Sequence, residues 1–324
     1  MVERGSEGTV GKSGRAGLEV VEGVLEHGMP YFAIGSGRPL VLLRWFSPDH
    51  ANPHGWMRDS EITMLEPLAR NFRVYAVSRA PGMPAGITMD EIAAEHADAL
   101  RSEFREPVDV LGISSGGSVA LQLGADHSEV VRRLVIASSG CRLDPVAKEG
   151  QMRYAEAALR GHRAMHHLAP IAFGSPVAAR VAAAAMWLFD PLARPRNPAD
   201  TYAFLRAEDG FDLTDRLGEI QVPTLVVGGE RDGAYSVATF RPHRRRNPRL
   251  PPDHLSRRRP HGCDQAPALR DRRHRLPEPA PLTRTPIDTA LRYLNPRLRR
   301  GRRPRGRPEP ALCRRRHGLG VGVQ

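Results

Sequence analysis

One ten-residue stretch, Val108-Asp109-Val110-Leu111-Gly112-Ile113-Ser114-Ser115-Gly116-Gly117, limits the fold more than any other part of the chain. An apolar run of strand length passes into Gly-x-Ser-x-Gly, and the residues that follow, Gly117 to Ala125, read as a helix. So sharp a strand-to-helix turn forces strained backbone on its central residue. It leaves no room for side chains two positions to either side, which accounts for Gly112 and Gly116. The turn lifts the Ser114 hydroxyl out of the sheet and aims the first helical N–H groups, that of Ser115 foremost, at whatever the hydroxyl meets. A Gly/Ser loop without chemistry, or a phosphate-binding turn, is the competing reading. Neither Gly-Lys-[Ser/Thr] nor Gly-x-Gly-x-x-Gly accompanies the motif to support it.

The flanking rhythm fits. Strands are expected at Leu18–Leu25, Tyr31–Ile34, Pro39–Phe46, Phe72–Val77, Val108–Ile113, Val131–Ala137 and Pro223–Val227. Helices are expected at Glu61–Asn71 and Asp90–Phe104, the latter with Ile92, Ala93, His96, Ala99 and Leu100 near one face. Near-continuous apolar strands alternating with helices mean βαβ units, a mostly parallel doubly wound sheet, and helices on both faces. Residues 141–215 interrupt the alternation with an Ala-rich helical stretch, Val177–Leu188 at its centre, and read as a lid inserted between two strands. Residues 1–17, rich in Gly and charge, read as a flexible leader without an apolar signal segment.

Charge divides the chain. Residues 1–240 carry 24 basic and 30 acidic side chains, whereas residues 241–324 carry 24 Arg, no Lys and 6 acidic side chains. The whole-chain net charge of +12 therefore belongs to the tail and says nothing about the sheet domain at 18–240. In the tail, neither period 2 nor period 3.6 persists among the Arg and Pro residues, and a disordered segment is expected. Only Tyr293 could stack on a base, so no specific nucleic-acid partner is implied. Three dispersed cysteines, Cys141, Cys263 and Cys313, form neither a disulfide framework nor a metal-ligand set and favour a reducing, cytoplasmic setting. No apolar run reaches the roughly 20 residues of a membrane span.

With the turn and the strand order in hand, the segment from about Val20 to Phe240 resembles the α/β-hydrolase superfamily in its lidded, serine-nucleophile form. Gly35–Phe46 looks like the family's turn and third strand, and Arg79-Ala80-Pro81-Gly82-Met83 resembles the Arg-Pro-Gly turn after its fourth. The family's third strand usually ends in His-Gly, and here that pair is Arg44-Trp45. The resemblance implies hydrolysis of a carboxylic ester or related acyl bond in a small-molecule substrate, with no metal or cofactor. Ser114 would be the nucleophile, and the N–H groups of Phe46 and Ser115 would form the oxyanion hole. A serine at this position argues against the epoxide-hydrolase and dehalogenase branches, which need a carboxylate nucleophile.

The family order is nucleophile, acid, histidine. Val222–Asp232 is a buried strand followed by Gly-Gly-Glu-Arg-Asp, and Asp232 stands where the resemblance places the acid. Its role would be to fix the histidine tautomer and stabilise imidazolium. Glu230 and Asp144 are the substitutes, and a loop aspartate capping a helix is the plain reading. The histidine should follow about 30 residues later, after one further strand. The stretch Asn247–Gly262 contains no strand and no Gly-flanked histidine, and His261 sits there without that context.

Arg without Lys, with abundant Pro, is what a GC-rich gene yields out of frame. Starting each codon one nucleotide later permits Ile-Pro-Gly-Ser-Arg-Leu-Ile-Ile-Tyr-Pro-Gly-Gly-Gly-His-Met-Gly over those residues: a turn, a strand and a Gly-flanked histidine. The frame is therefore read as lost near Phe240. On that reading the chain as written lacks its base, and its activity is weak or nil.

Other candidates have plainer readings. His162, His166 and His167 are expected on the lid surface. Met152, Met165, Met186, Trp187 and Phe189 either line an acyl pocket under the lid or pack it ordinarily. Acyl transfer or cofactor-free peroxidation on the same site, and a non-catalytic product, remain the alternative functions.

Overall fold

A single mixed sheet runs through the computed structural model, which describes residues 9–12, 18–173 and 175–227. Its strands are β1 (Thr9–Lys12), β2 (Glu19–Val24), β3 (Pro30–Ile34), β4 (Pro39–Leu43), β5 (Arg73–Val77), β6 (Val108–Ile113), β7 (Val131–Ala137) and β8 (Thr224–Val227). The spatial order is β1-β2-β3-β5-β4-β6-β7-β8. The first three strands are antiparallel to their neighbours, and β5, β4, β6, β7 and β8 are parallel.

Alternation along the parallel strands divides the core in two. Leu40 and Leu42 of β4, Leu111 of β6 and Val135 of β7 face one layer, into which α1 (Gly55–Ala69) presses Ile62, Leu65 and Leu68. Val41, Val110, Leu134 and Ile136 face the other, covered by α2 (Met89–Glu103) and α3 (Ser115–Asp126). Strands buried on both faces cannot show polar alternation, which is why they read as continuous apolar runs.

Several boundaries differ from the sequence expectation, among them the end of β4, at Leu43 and not Phe46. Thr9–Lys12, inside the expected leader, pairs with β2. Helix α1 starts six residues early, because its first turns leave Trp56 and Met57 exposed and so carry no apolar periodicity. Helix α2 starts at Met89, where the Thr88 backbone N–H donates to the Glu91 carboxylate at 2.9 Å.

The insertion between β7 and β8 holds α4 (Pro145–Leu159), the short α5 (Ala169–Ala172), α6 (Pro176–Phe189) and α7 (Pro198–Gly210). Helix α4 packs on α7. An isolated bridge between Arg142 and Asp212 closes the base of the insertion. No helix among the described residues is long and apolar enough to cross a membrane.

Candidate functional site

Strand β4 leads to β5 on one side, while β6 lies on its other side, so the chain reverses direction across the sheet between β4 and β6. Crevices at the carboxyl ends of strands open at such switch points. Here the two strand ends carry Arg44-Trp45-Phe46 and Ser114.

Ser114 has φ 53° and ψ −125° and stands between the last residue of β6 and the first turn of α3. A non-glycine residue with φ above zero is strained, and strain of this kind is kept only where the surroundings over-determine it. The surroundings do so. The Ser114 N–H donates to the Ala137 carbonyl at 3.0 Å, and its own carbonyl accepts from the Gly117 N–H at 2.7 Å. A Cβ on Gly112 would meet the Ala120 Cβ at 2.6 Å. On Gly116 it would collide with the Leu43 carbonyl oxygen and meet that of Arg44 at 2.5 Å. The second collision matters most, because it shows that the turn rests directly on the end of β4. Ser115 is buried in the first turn of α3, and Ser114 is half-buried. Phe46 is also half-buried, its ring edge-on to Tyr154 of α4 with centroids 5.6 Å apart.

The loop after β4 is fixed by two buried guanidinium groups. Arg44 forms a two-point pair with Glu61 of α1 and donates to the Ala51 carbonyl at 3.0 Å. Arg79, after β5, donates to the Ser47 carbonyl at 3.1 Å and to His50 Nε2 at 3.2 Å, and its guanidinium lies 4.0 Å from the centre of the Phe204 ring. Burial, with the Arg44 charge nearby, holds Arg79 down to about 9. Burial and then Arg79 hold His50 down to about 3. The neutral His50 ring donates from Nδ1 to the Ala80 carbonyl at 2.8 Å, so both its nitrogens are engaged.

Helix α7 ties the insertion to this end of the sheet. Asp200 accepts from the N–H groups of Gly82 and Met83 at 2.8 and 2.9 Å, and the Thr201 hydroxyl donates to the Pro48 carbonyl at 2.6 Å. Glu208 accepts from Ser118 of α3 at 2.9 Å and from Gln151 of α4 at 3.0 Å.

The structure thus brings the Ser114 turn, Ser115, Gly112 and Gly116 against the β4 end that continues to Phe46. Asp232, Glu230 and His261 lie outside the described residues. Asp144 stands at the N-terminus of α4. His166 and His167 stack on each other, centroids 4.0 Å apart. The five residues expected to line a pocket or pack the lid divide: Met152, Met165 and Met186 are half-buried, and Trp187 and Phe189 are not. Met165 borders a cavity of about 110 Å³ beside Tyr154 and Asp190, while Trp187 and Phe189 are exposed on α6. A larger space, of about 690 Å³, opens at the far end of α3 near Gln122 and Asp126, roughly 18 Å along that helix from Ser114.

Sequence reasoning missed Glu61, His50, Asp200 and Tyr154. Glu61 had one usable signal: it is a carboxylate on the same side of the helix as Leu65 and Leu68, so it needed a buried cation.

Comparison with known proteins agrees with this fold. A pimeloyl-[acyl-carrier protein] methyl ester esterase from Neisseria meningitidis is 31% identical over 193 residues, 55% of this chain and 73% of that one. The Nitrosomonas europaea esterase of the same name is 30% identical over 203 residues, 57% of this chain and 77% of that one. RutD of Yersinia enterocolitica is 37% identical over 86 residues, which take in only 31% of its length. Among solved structures, an alpha/beta hydrolase from a Medee basin deep-sea metagenome library has TM-score 0.56 at 18% identity, covering 75% of this chain and 86% of its own. Residues 27–281 match the alpha/beta hydrolase family, and the chain belongs to that family.

Proposed function

We propose that the domain is built to hydrolyse a carboxylic ester or related acyl bond, with Ser114 as nucleophile. The observation that carries this reading is the Ser114 backbone at φ 53°, ψ −125°, held between two glycines with no space for a side chain. Strained residues of this kind cluster at active sites, and this one lies at a sheet switch point and at the start of a helix. The esterase names of the two relatives point to the same bond class.

In this reading the Ser114 oxygen attacks the acyl carbon. The N–H groups of Ser115 and Phe46 receive the developing oxyanion, aided by the positive end of α3. The Gly116 contact with the β4 carbonyls supports the placing of Phe46, since it keeps the two donor-bearing segments together. The helical insertion acts as a lid over the acyl group, with Tyr154 forming the wall beside Phe46. Asp232 orients a histidine that takes the Ser114 proton and returns it to the leaving alcohol. The reading frame as written provides no histidine in that setting, and His50, with both nitrogens engaged, does not serve. We therefore assign the missing base to a one-nucleotide slip near codon 240.

The test is to resequence codons 233–247 and to compare the chain as written with a frame-restored version on p-nitrophenyl acetate and butyrate. The restored enzyme should exceed the written one by about 10³-fold or more, the usual scale for regaining a triad histidine, and Ser114→Ala should remove the gain. Equal activity in both versions, or full activity in Ser114→Ala, would overturn the reading. Transfer to an added alcohol in preference to water would move the assignment from hydrolase to acyltransferase.

A further inference from the structure

Tyr154 of α4 is 1% exposed, and its hydroxyl meets no hydrogen-bond partner among the described residues. A buried hydroxyl left this way carries its full desolvation cost, and a phenylalanine would pack there without it. The ring stands edge-on to Phe46, whose N–H is one of the two proposed oxyanion donors. Tyr154 also lines the cavity of about 110 Å³ within the insertion, together with Ala158, Met165, Asp190, Arg194 and Pro198. That is room for roughly four heavy atoms, since a cavity of about 150 Å³ takes a benzene. The geometry points to this cavity as the subsite for the far end of the acyl chain, with the Tyr154 hydroxyl donating to a neutral carbonyl oxygen carried on that chain. The assignment rests on the reading of Ser114 as the nucleophile.

The surroundings of the hydroxyl set the chemistry of its partner. Burial, and then the Asp190 and Asp49 carboxylates, raise Tyr154 above the usual phenol range, so the group stays protonated and serves as a donor. Asp190 is already engaged. One of its oxygens accepts from the N–H groups of Ala164 and Met165 at 2.6 and 2.8 Å, and the other from Arg194 Nε at 3.4 Å.

Charge then separates the acceptors. The Arg194 guanidinium is shared with Asp190, and two carboxylates act on the hydroxyl. A chain ending in a carboxylate would meet repulsion there, whereas a ketone, ester or amide carbonyl would not. Ala158, Met165 and Pro198 supply the apolar wall that methylene groups need.

The experiment measures binding to the full chain carrying Ser114→Ala, so that no ester is consumed and a failed esterase assay is told apart from a failed subsite. Dissociation constants of methyl 4-oxopentanoate, methyl pentanoate and monomethyl glutarate are read by ligand-observed NMR titration. The keto ester should bind about 5-fold or more tighter than the pentanoate, the scale of one neutral hydrogen bond. Adding Tyr154→Phe should erase that preference while leaving the pentanoate within about twofold, and the variant should melt at or above its parent. Ala193→Leu, at a half-buried position lining the same cavity, should weaken both esters. Equal binding of the two esters to the chain with Tyr154 overturns the inference. So does a preference that survives Tyr154→Phe, an equal loss of both esters in that variant, or tighter binding of monomethyl glutarate than of the keto ester.

Discussion

Arg44 holds Glu61 through two hydrogen bonds, Nε to Oε1 at 2.7 Å and Nη2 to Oε2 at 2.9 Å, with both side chains buried. The pair joins the end of β4 to the middle of α1, and the remaining Arg44 nitrogen holds the Ala51 carbonyl. Breaking one side leaves an uncompensated buried charge. Arg44→Met should cost about 3–5 kcal/mol in urea unfolding, and the double change Arg44→Met/Glu61→Leu should recover most of it. A double variant no more stable than the single one would mean that the loop, not the charge, sets the cost.

Relief of strain should be visible at Ser114. Glycine adopts φ 53°, ψ −125° without the Cβ clash, so Ser114→Gly should raise stability by about 1 kcal/mol, a gain of a few degrees in Tm. Ser114→Ala keeps the strain and should leave Tm nearly unchanged. Equal Tm values for the two variants would count against a strained turn.

Close packing makes the glycines that flank Ser114 unequal to ordinary ones. Gly116→Ala drives a methyl group into the Leu43 and Arg44 carbonyls and should destabilise by several kcal/mol or prevent folding. Gly210→Ala, at the end of α7 with nothing within 4 Å, should be neutral or slightly stabilising. Thermal melts of the two variants separate the effects.

Stability should fall in mild acid. Burial holds His50 at about 3 and His96 at about 4, against 6.5 for the free side chain. The unfolded chain therefore binds these protons below pH 6.5 while the folded one does not. Stability is complete above pH 6.5 and declines by about 1.4 kcal/mol per pH unit per histidine down to pH 4, after which only His50 still contributes, to pH 3. Urea midpoints measured from pH 7 to pH 4.5 should fall, and His96→Gln should flatten the slope. A midpoint that does not change over that range would show that neither ring is buried neutral.

The parallel strands, the Ser114 turn and the helical insertion were legible because each leaves a local signature: continuous apolar runs, glycines at fixed offsets, and an Ala-rich stretch without strand pattern. The start of α1 was not, since Trp56 and Met57 face outward and give no periodic signal. Nor was the brace around the β4 loop. Arg44 with Glu61, and Arg79 with His50, are 17 and 29 residues apart, and nothing local announces which partner each guanidinium will meet in the buried space. Trp187 and Phe189 misled in the opposite direction: large apolar residues were expected either to line a pocket or to pack the lid, whereas the fold exposes them on α6.

Reaction with a fluorophosphonate, read by mass spectrometry of the modified peptide, tests the proposed nucleophile most directly. In the frame-restored protein the account predicts one adduct, on Ser114, formed far faster than in the chain as written and absent from Ser114→Ala. An unmodified Ser114 in the folded, frame-restored protein, or an adduct on a different serine, would contradict it.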